Sequence, residues 1–100
     1  MIKRITMWRL KDLAQERSKS DNRTRLKAML EQLPGQLSEI KHFKVALNVS
    51  ADPSAADVVL IAFFADRQAY ELVLNHPEFR KIMDFVEGIK DDQWFVEYEE

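Results

Sequence analysis

The chain has 100 residues, of which 46% are hydrophobic and 32% are charged, and it contains no cysteine. This balance predicts one soluble globular domain over residues 1–100, and the missing thiols exclude disulfides and thiolate chemistry. The net charge of −2 predicts a protein that does not bind nucleic acid. No apolar run approaches the roughly 20 residues that span a bilayer, and no signal peptide is seen, so we predict a cytoplasmic protein without a membrane partner.

A strand, a helix and a second strand are predicted over the first half of the chain. The opening IKRITMWRLK is rich in β-branched and aromatic residues, which favour a strand. A helical stripe follows, with apolar residues at i, i+3, i+4 and i+7: Leu26, Met29, Leu30 and Leu33. Ser20 or Asp21 is the expected N-cap, unless the helix begins near Asp12, and LPG at 33–35 ends it. HFKVALNV, residues 42–49, alternates apolar and polar residues as a half-buried strand does.

The second half adds a strand, two helices and a final strand. VVLIAFFA, residues 58–65, is a continuous apolar run. Asp66 is the expected cap of a short helix over RQAYELVL, and Pro77 opens a second helix. QWFVEYE, residues 93–99, is predicted to be the last strand. The order βαββαβ predicts a ferredoxin-like α+β domain, in which helices cover one face of an antiparallel four-stranded sheet.

The strand at 58–65 is apolar on both faces, although the predicted helices cover only one face of the sheet. Six residues are predicted to share the uncovered face and to form a dimer interface: Ile5, Met7, Val59, Ile61, Phe63 and Phe95. An apolar patch of that extent on a surface indicates a partner. We therefore predict a homodimer that packs sheet against sheet, rather than a monomer whose own loops shield this face.

Four segments spread over the chain carry a family likeness: MIKRITMWRLKD, DVVLIAFFAD, AYELVLNHPEF and WFVEYE. In their order and spacing they resemble the stress-responsive A/B barrel (Dabb) family. The resemblance implies a dimeric α+β barrel built from two ferredoxin-like subunits. Family members are often linked to stress, and a few plant relatives cyclise linear polyketides with histidines in a cavity between the sheet and the helices.

Three positions depart from the cyclase pattern that the resemblance implies. Arg4 stands where the family commonly has a histidine in its first strand. In the helix motif His-Pro-x-His, His76 is kept, but Phe79 replaces the second histidine. Val73 stands where the cyclases have a tyrosine, one helical turn before His-Pro. The resemblance therefore implies the fold and the dimer, and these departures argue against cyclase chemistry.

Arg4 and His76 are the candidate catalytic residues if the protein is an enzyme. Arg4 shares its strand register with apolar residues, so a guanidinium facing the helices needs a carboxylate, carbonyl groups or a bound anion. Its place at the beginning of the strand instead favours a side chain that reaches past the end of the sheet into water. His76 can exchange a proton near neutral pH, but its place directly before Pro77 favours a role in capping a helix. Phe79 has helical spacing to Ile82 and is expected in the core.

A ligand pocket between the sheet and the helices would be lined by eight residues: Arg4, Thr6, Trp8, Val58, Leu60, Val73, His76 and Phe79. Two histidines without HxxxH spacing predict no metal site, and two glycines provide no phosphate-binding loop, so no cofactor is expected. The basic run from Arg17 to Lys27 is interrupted by Asp21, is bounded by Glu16 and Glu31, and lacks aromatic residues. It predicts a solvated helix face rather than a nucleic-acid site.

Three functional hypotheses follow from these residues. The first is a small stress-related homodimer without catalysis of its own that binds a small apolar or anionic ligand. The second is a polyketide-cyclase-like or cofactor-independent oxygenase-like enzyme that uses His76 and Arg4 in a cavity that excludes water. The third is a pure oligomerisation module. A cavity on which Arg4 and His76 converge would favour the enzyme, whereas Trp8 and Phe79 filling that space would favour the first hypothesis.

Overall fold

The computed structural model describes residues 1–100 and has the element order of a ferredoxin-like α+β domain. Its elements are β1 (Ile2–Leu10), β2 (Leu13–Ala14), β3 (Arg17–Ser18), α1 (Lys19–Glu31), β4 (Ile40–Leu47), β5 (Val58–Phe64), α2 (Arg67–Leu74), α3 (Pro77–Ile89) and β6 (Lys90–Glu99). A turn of 3₁₀ helix over Leu33–Gly35 follows α1. The predicted fold is confirmed, with a small additional hairpin, β2–β3, before α1.

The four long strands form one antiparallel sheet in the order β4-β5-β1-β6. β1 and β5 occupy its centre, and β4 and β6 are its edges. Ile5, near the middle of β1, lies opposite Ile61 of β5 on one side and Val96 of β6 on the other. Because directly opposed residues point to the same face of a sheet, this register fixes which side chains meet the helices.

The helices cover one face of this sheet, and the hydrophobic core lies between them. Alternate residues of β1 and β5 meet residues that recur every three or four positions along the helices. The core includes these nearly or fully buried side chains: Trp8, Leu26, Leu30, Leu60, Phe64, Val73, Phe79 and Val86. Burial of a large apolar side chain contributes about 1.5–3 kcal/mol relative to its exposure. This layer therefore supplies the main stabilisation of the subunit.

The β2–β3 hairpin was not predicted from the sequence. Its two turn residues, Gln15 and Glu16, have φ angles of 54° and 62°. Hairpin turns with two positive φ angles usually contain Asn-Gly or Asp-Gly, so these residue types gave no turn signal. The buried side chain of Asn22 stabilises the hairpin, because its Nδ2 donates hydrogen bonds to the carbonyls of Ala14 and Arg17 at 3.1 and 3.4 Å.

Helix α1 begins at Lys19, between the two alternative starts predicted from the sequence, one near Asp12 and one after Ser20 or Asp21. Its N-cap is Ser18, whose Oγ accepts a hydrogen bond from the amide of Asp21 at 3.1 Å. The predicted N-caps, Ser20 and Asp21, lie inside the first turn, so that prediction was wrong. The hairpin delivers Ser18 to the start of the helix in an extended conformation, which is the backbone geometry that an N-cap requires.

The face of the sheet that the helices leave uncovered is apolar at its centre. We call it the outer face, and its apolar residues are Ile5, Met7, Val59, Ile61, Phe63, Trp94, Val96 and Tyr98. The prediction that Phe95 belongs to this face was wrong. Phe95 lies opposite Thr6, which is buried on the helix side, whereas Trp94 lies opposite Met7. Successive residues of a strand point to opposite faces, so a register misjudged by one residue exchanges them.

Candidate functional site

Arg4 is the centre of a polar cluster near the β6 edge of the helix-covered face. Its Nη1 donates a hydrogen bond to the hydroxyl of Tyr70 at 2.7 Å and lies 3.7 Å from Oε1 of Glu97. Its Nε donates to the hydroxyl of Thr6 at 3.3 Å. Its guanidinium carbon lies 4.1 Å from the centre of the Phe95 ring, which is a cation–π contact. The Arg4 side chain is 16% exposed, so its charge is largely withdrawn from water.

Glu97 connects this cluster to helix α2. One of its carboxylate oxygens accepts a hydrogen bond from the Tyr70 hydroxyl at 2.7 Å, and the other accepts one from Nη1 of Arg67 at 2.9 Å. These two hydrogen bonds lower the pKa of Glu97. Burial, and then the hydrogen bond to Glu97, raise the pKa of Tyr70, which keeps its hydroxyl protonated. We call Arg4, Arg67, Tyr70, Phe95 and Glu97 together the Arg4 cluster.

The Arg4 cluster has unused hydrogen-bond donors and an excess of positive charge. Two guanidinium groups share one carboxylate. Arg4 uses its Nε and Nη1 atoms in side-chain hydrogen bonds, so its Nη2 has no acceptor within the subunit. Arg67 is 50% exposed and uses only Nη1, and the Phe95 ring beside these donors is 55% exposed. An anion with a flat apolar body matches this combination of charge and aromatic surface.

Strand register and helix periodicity bring the members of the Arg4 cluster together. Across β1 and β6, Arg4 lies opposite Glu97 and Thr6 lies opposite Phe95. In α2, Tyr70 and Val73 are three residues apart on the buried side of the helix, which turns the Tyr70 side chain towards the sheet. The sequence favoured an Arg4 side chain that reaches past the end of the sheet into water, with a carboxylate or an equivalent partner as the alternative, and it did not identify Tyr70 or Glu97. The spacing of Tyr70 and Val73 was an available signal, whereas the pairing of β1 with β6 was not.

His76 has the structural role that its place before Pro77 favours. It is the N-cap of α3, and its Nδ1 accepts a hydrogen bond from the amide of Glu78 at 3.1 Å. An imidazole that accepts at Nδ1 carries its proton on Nε2 when it is neutral. No residue that makes a hydrogen bond or an ion pair with His76 also makes one with Arg4. The structure therefore does not join the two candidate catalytic residues in one polar cluster.

The eight residues of the predicted pocket mostly belong to the core. Val58 is 2% exposed, and five others are no more than 9% exposed: Thr6, Trp8, Leu60, Val73 and Phe79. The Nε1 of Trp8 donates a hydrogen bond to Oε1 of Gln93 at 3.0 Å, which holds the indole in the layer between sheet and helices. None of the five surface cavities is lined by those five residues, by Arg4 or by His76. Val58 lines a cavity of about 240 Å³ near the other end of β1, beside Met7.

Acidic and histidine side chains are dispersed over the subunit. Nowhere do three or more of them lie close enough together to hold a metal ion. The three helices have 13, 8 and 13 residues, and none of them is long and apolar enough to cross a membrane.

Solved structures with this fold include dimeric ferredoxin-like proteins. One, a dimeric protein of unknown function from Bacteroides fragilis, is 22% identical with a TM-score of 0.84 over 99% of this chain and 95% of that chain. Another, a dimeric protein of unknown function from Thermobifida fusca, is 17% identical with a TM-score of 0.85 over 99% and 90% of the two chains. The hydroxynitrile lyase of Passiflora edulis is 14% identical with a TM-score of 0.77 over 97% and 90%. At these identities the likeness establishes the fold alone.

The fold class is therefore that of dimeric ferredoxin-like proteins, and a family model narrows it further. The model of the stress responsive A/B barrel domain, Dabb, matches residues 2–100. The chain belongs to the stress-responsive A/B barrel family, as its sequence segments predicted. No match is found among the curated proteins.

Proposed function

We propose that this protein is a cytoplasmic homodimer that binds a small anionic ligand at the Arg4 cluster and performs no catalysis of its own. The observation that carries this proposal is the largely buried guanidinium of Arg4, whose Nη2 is unused beside the exposed Phe95 ring. Arg4 is the residue that this site shares with the pocket predicted from the sequence. It lies at the rim of the layer between sheet and helices, because Trp8 and Phe79 fill the interior of that layer.

The ligand class follows from the groups at the rim. A carboxylate or a similar anion can accept hydrogen bonds from Arg4 and Arg67, and arginine is well suited to pairing with such planar groups. A flat apolar body can pack on the exposed ring of Phe95. Glu97 disfavours a second negative charge close to the arginines, so a monoanion fits better than a dianion.

Homodimerisation is supported by the outer face and by the relatives. Met7, Trp94 and Val96 are 42%, 41% and 52% exposed in the subunit, and they belong to one continuous apolar surface. Such a patch marks an interaction surface more often than a solvent-facing one. Both proteins of unknown function compared above are dimeric.

The alternative proposal, a cyclase-like or oxygenase-like enzyme that uses His76 and Arg4, has less support. An acid–base pair must reach the reacting atoms of one substrate, and the polar contacts of these two residues are separate. The Nδ1 of His76 accepts from the amide of Glu78, and Phe79 supplies no second imidazole. A hydroxynitrile lyase shares the fold, but function is decided by the residues of a site rather than by the fold that carries it.

Binding can be tested with benzoate, an anionic aromatic probe, and with benzamide, its neutral counterpart. We expect benzoate to shift the side-chain NMR signals of Arg4, Arg67 and Phe95, and benzamide to leave them in place, because only benzoate supplies an anion to the guanidinium groups. Phe95→Ala and Arg67→Gln should each weaken benzoate binding by about three- to tenfold.

Matched controls separate a site from a general effect of substitution. Leu13→Ala removes a side chain that is 71% exposed on the hairpin, and Arg80→Gln removes an exposed guanidinium from α3. Both controls should bind benzoate as the wild type does. The proposal is overturned if benzoate shifts no signal of the Arg4 cluster, or if Phe95→Ala and Arg67→Gln bind it with unchanged affinity.

A further inference from the structure

The Arg4 cluster holds the carboxylate of Glu97 in the way that a protein holds a ligand carboxylate. Its Oε1 accepts a hydrogen bond from the Tyr70 hydroxyl at 2.7 Å and lies 3.7 Å from Nη1 of Arg4. Its Oε2 accepts a hydrogen bond from Nη1 of Arg67 at 2.9 Å. Two guanidinium groups and a hydroxyl, from β1 and α2, therefore converge on one planar anion, which is a common arrangement for the recognition of carboxylates.

Glu97 uses donors that an incoming anion needs. The Tyr70 hydroxyl donates its one proton to Glu97 and accepts a hydrogen bond from Arg4, so it has no proton for a ligand while Glu97 is in place. Nη1 of Arg67 is likewise directed to Glu97. The hydrogen bonds that lower the pKa of Glu97 also keep it ionised at neutral pH. Glu97 therefore competes with a ligand as an anion of the same kind.

The contacts of Glu97 can be exchanged, whereas the rest of the cluster is fixed. The Glu97 side chain is 33% exposed and that of Arg67 is 50% exposed, so the ion pair between them is weakened by solvent. Turning the Glu97 side chain outward breaks no backbone hydrogen bond. Tyr70 is only 4% exposed and Arg4 is anchored to it, so these two groups keep their positions when Glu97 leaves.

We propose that Glu97 is an internal competitor for the ligand of the Arg4 cluster, and that an aromatic monocarboxylate binds by replacing the Glu97 carboxylate at Tyr70 and Arg67. This inference rests on the proposed function and assigns the ligand class and the residue that limits its affinity. Phe95 and Glu97 are two residues apart on the helix side of β6, about 7 Å along the strand. A ring packed on Phe95 therefore has its carboxylate within reach of the donors that hold Glu97.

Glu97→Gln tests the competition, because it removes the charge and keeps the shape of the side chain. We expect this variant to bind benzoate about five- to tenfold more tightly than the wild type at pH 7, since a tethered carboxylate competes at a high effective concentration. Glu99→Gln is the matched control. It removes a negative charge two residues away on the same strand, and Glu99 forms no ion pair. Calorimetric titration should show that the control changes the affinity by less than about twofold.

The carboxyl ¹³C NMR signal of Glu97 in the wild type reports whether its carboxylate leaves the donors. Saturating benzoate should move this signal towards that of Glu71, an exposed glutamate of α2. Loss of charge repulsion alone would explain tighter binding by Glu97→Gln, but it would leave the Glu97 signal of the wild type in place. The signal therefore separates replacement of the carboxylate from a general electrostatic effect.

The outcomes distinguish this inference from the proposed function. If the wild type binds benzoate and Glu97→Gln binds it no more tightly than Glu99→Gln does, the inference is overturned and the proposed function stands. An unmoved Glu97 signal at saturation has the same meaning. If neither the wild type nor Glu97→Gln binds benzoate, the proposed function is overturned together with the inference. Binding by Glu97→Gln alone supports the inference and overturns the proposed function for the wild-type chain, because its own carboxylate then blocks the site.

Discussion

At the scale of single residues, the side chain of His76 contributes to stability through its position at the start of α3. We expect His76→Ala to lower the free energy of unfolding by about 1 kcal/mol, because the amide of Glu78 loses its acceptor. His76→Asn should recover most of this loss, since asparagine is among the favoured N-cap residues. Urea unfolding of the three proteins gives the comparison. An asparagine variant as unstable as the alanine variant would contradict the capping role.

Glu97 makes the stability of the subunit depend on pH. Hydrogen bonds from Tyr70 and Arg67 lower its pKa in the folded state, so the unfolded state binds a proton more readily than the folded state does. The resulting stabilisation is fully present above the unfolded-state pKa, which is about 4.3 for glutamate, and is lost as the pH falls through the lower folded-state pKa. Glu97→Gln should therefore reduce the loss of stability in acid.

Thermal unfolding at pH 7 and pH 3 measures the effect of Glu97→Gln. Glu71→Gln is the matched control, because Glu71 is exposed on α2 and forms no ion pair. The control should lose as much stability in acid as the wild type does. Because the ion pair of Glu97 with Arg67 is partly exposed, the difference should also shrink at high salt. Identical acid sensitivity of Glu97→Gln and the control would refute the contribution of Glu97.

Arg4 illustrates how much of the surroundings of a single side chain can be predicted from the sequence. Its apolar strand register indicated that a guanidinium facing the helices needs a carboxylate or an equivalent partner, but its place at the beginning of the strand favoured a side chain that reaches into water. The identity of that partner depends on which strand lies beside β1 and in which register, and residue types along one strand do not contain that information. The register of β6 against β1 was unknown for the same reason, and Phe95 was therefore wrongly predicted to lie on the outer face. Local roles, such as the capping role of His76, depend on chain neighbours and were therefore predictable.

At the scale of elements, Phe79 begins the buried face of α3, which continues through Ile82, Val86 and Ile89. Phe79→His would recreate the family motif His-Pro-x-His. We expect it to lower the free energy of unfolding by about 2–4 kcal/mol, because a polar ring replaces an apolar one at a position that is 9% exposed. Arg80→His, at the exposed neighbour, should change it by less than about 0.5 kcal/mol.

Chemical denaturation of the two histidine variants compares the buried and exposed positions. A stable Phe79→His protein would show that the layer between sheet and helices has room for a polar group and its hydration. That result would favour the interior pocket and the enzyme hypothesis over the site at the rim.

Elements with a clear hydrophobic period were predictable, and those fixed by other means were not. The apolar stripe of α1 and the alternation in β4 identified both elements. The β2–β3 hairpin depends on two positive φ angles and on hydrogen bonds from Asn22, and neither leaves a periodic signal. The N-cap of α1 differs from the predicted Ser20 or Asp21 because this hairpin places Ser18 at the start of the helix.

At the scale of the whole molecule, the outer face predicts how the assembly responds to substitution. Met7→Lys should convert the dimer into a monomer at micromolar concentration, because a charge would be buried without a partner between two apolar sheets. The subunit should remain folded, since Met7 is 42% exposed within it. Light scattering measures the mass. Leu13→Lys, on the hairpin and away from the outer face, should leave the mass unchanged, and an unchanged mass for Met7→Lys would contradict the sheet-to-sheet dimer.

The exposure of β6 has a consequence for how the binding site forms. Every residue from Trp94 to Glu99 is exposed, so this strand is held in a lone subunit mainly by its ladder to β1. We expect its amide protons to exchange with solvent faster than those of β5, and association to slow that exchange, because poorly covered elements open locally at low free-energy cost. Phe95 and Glu97 are carried on this strand. Dilution would therefore loosen the ligand site before the core opens, and protein concentration would set the fraction of chains able to bind.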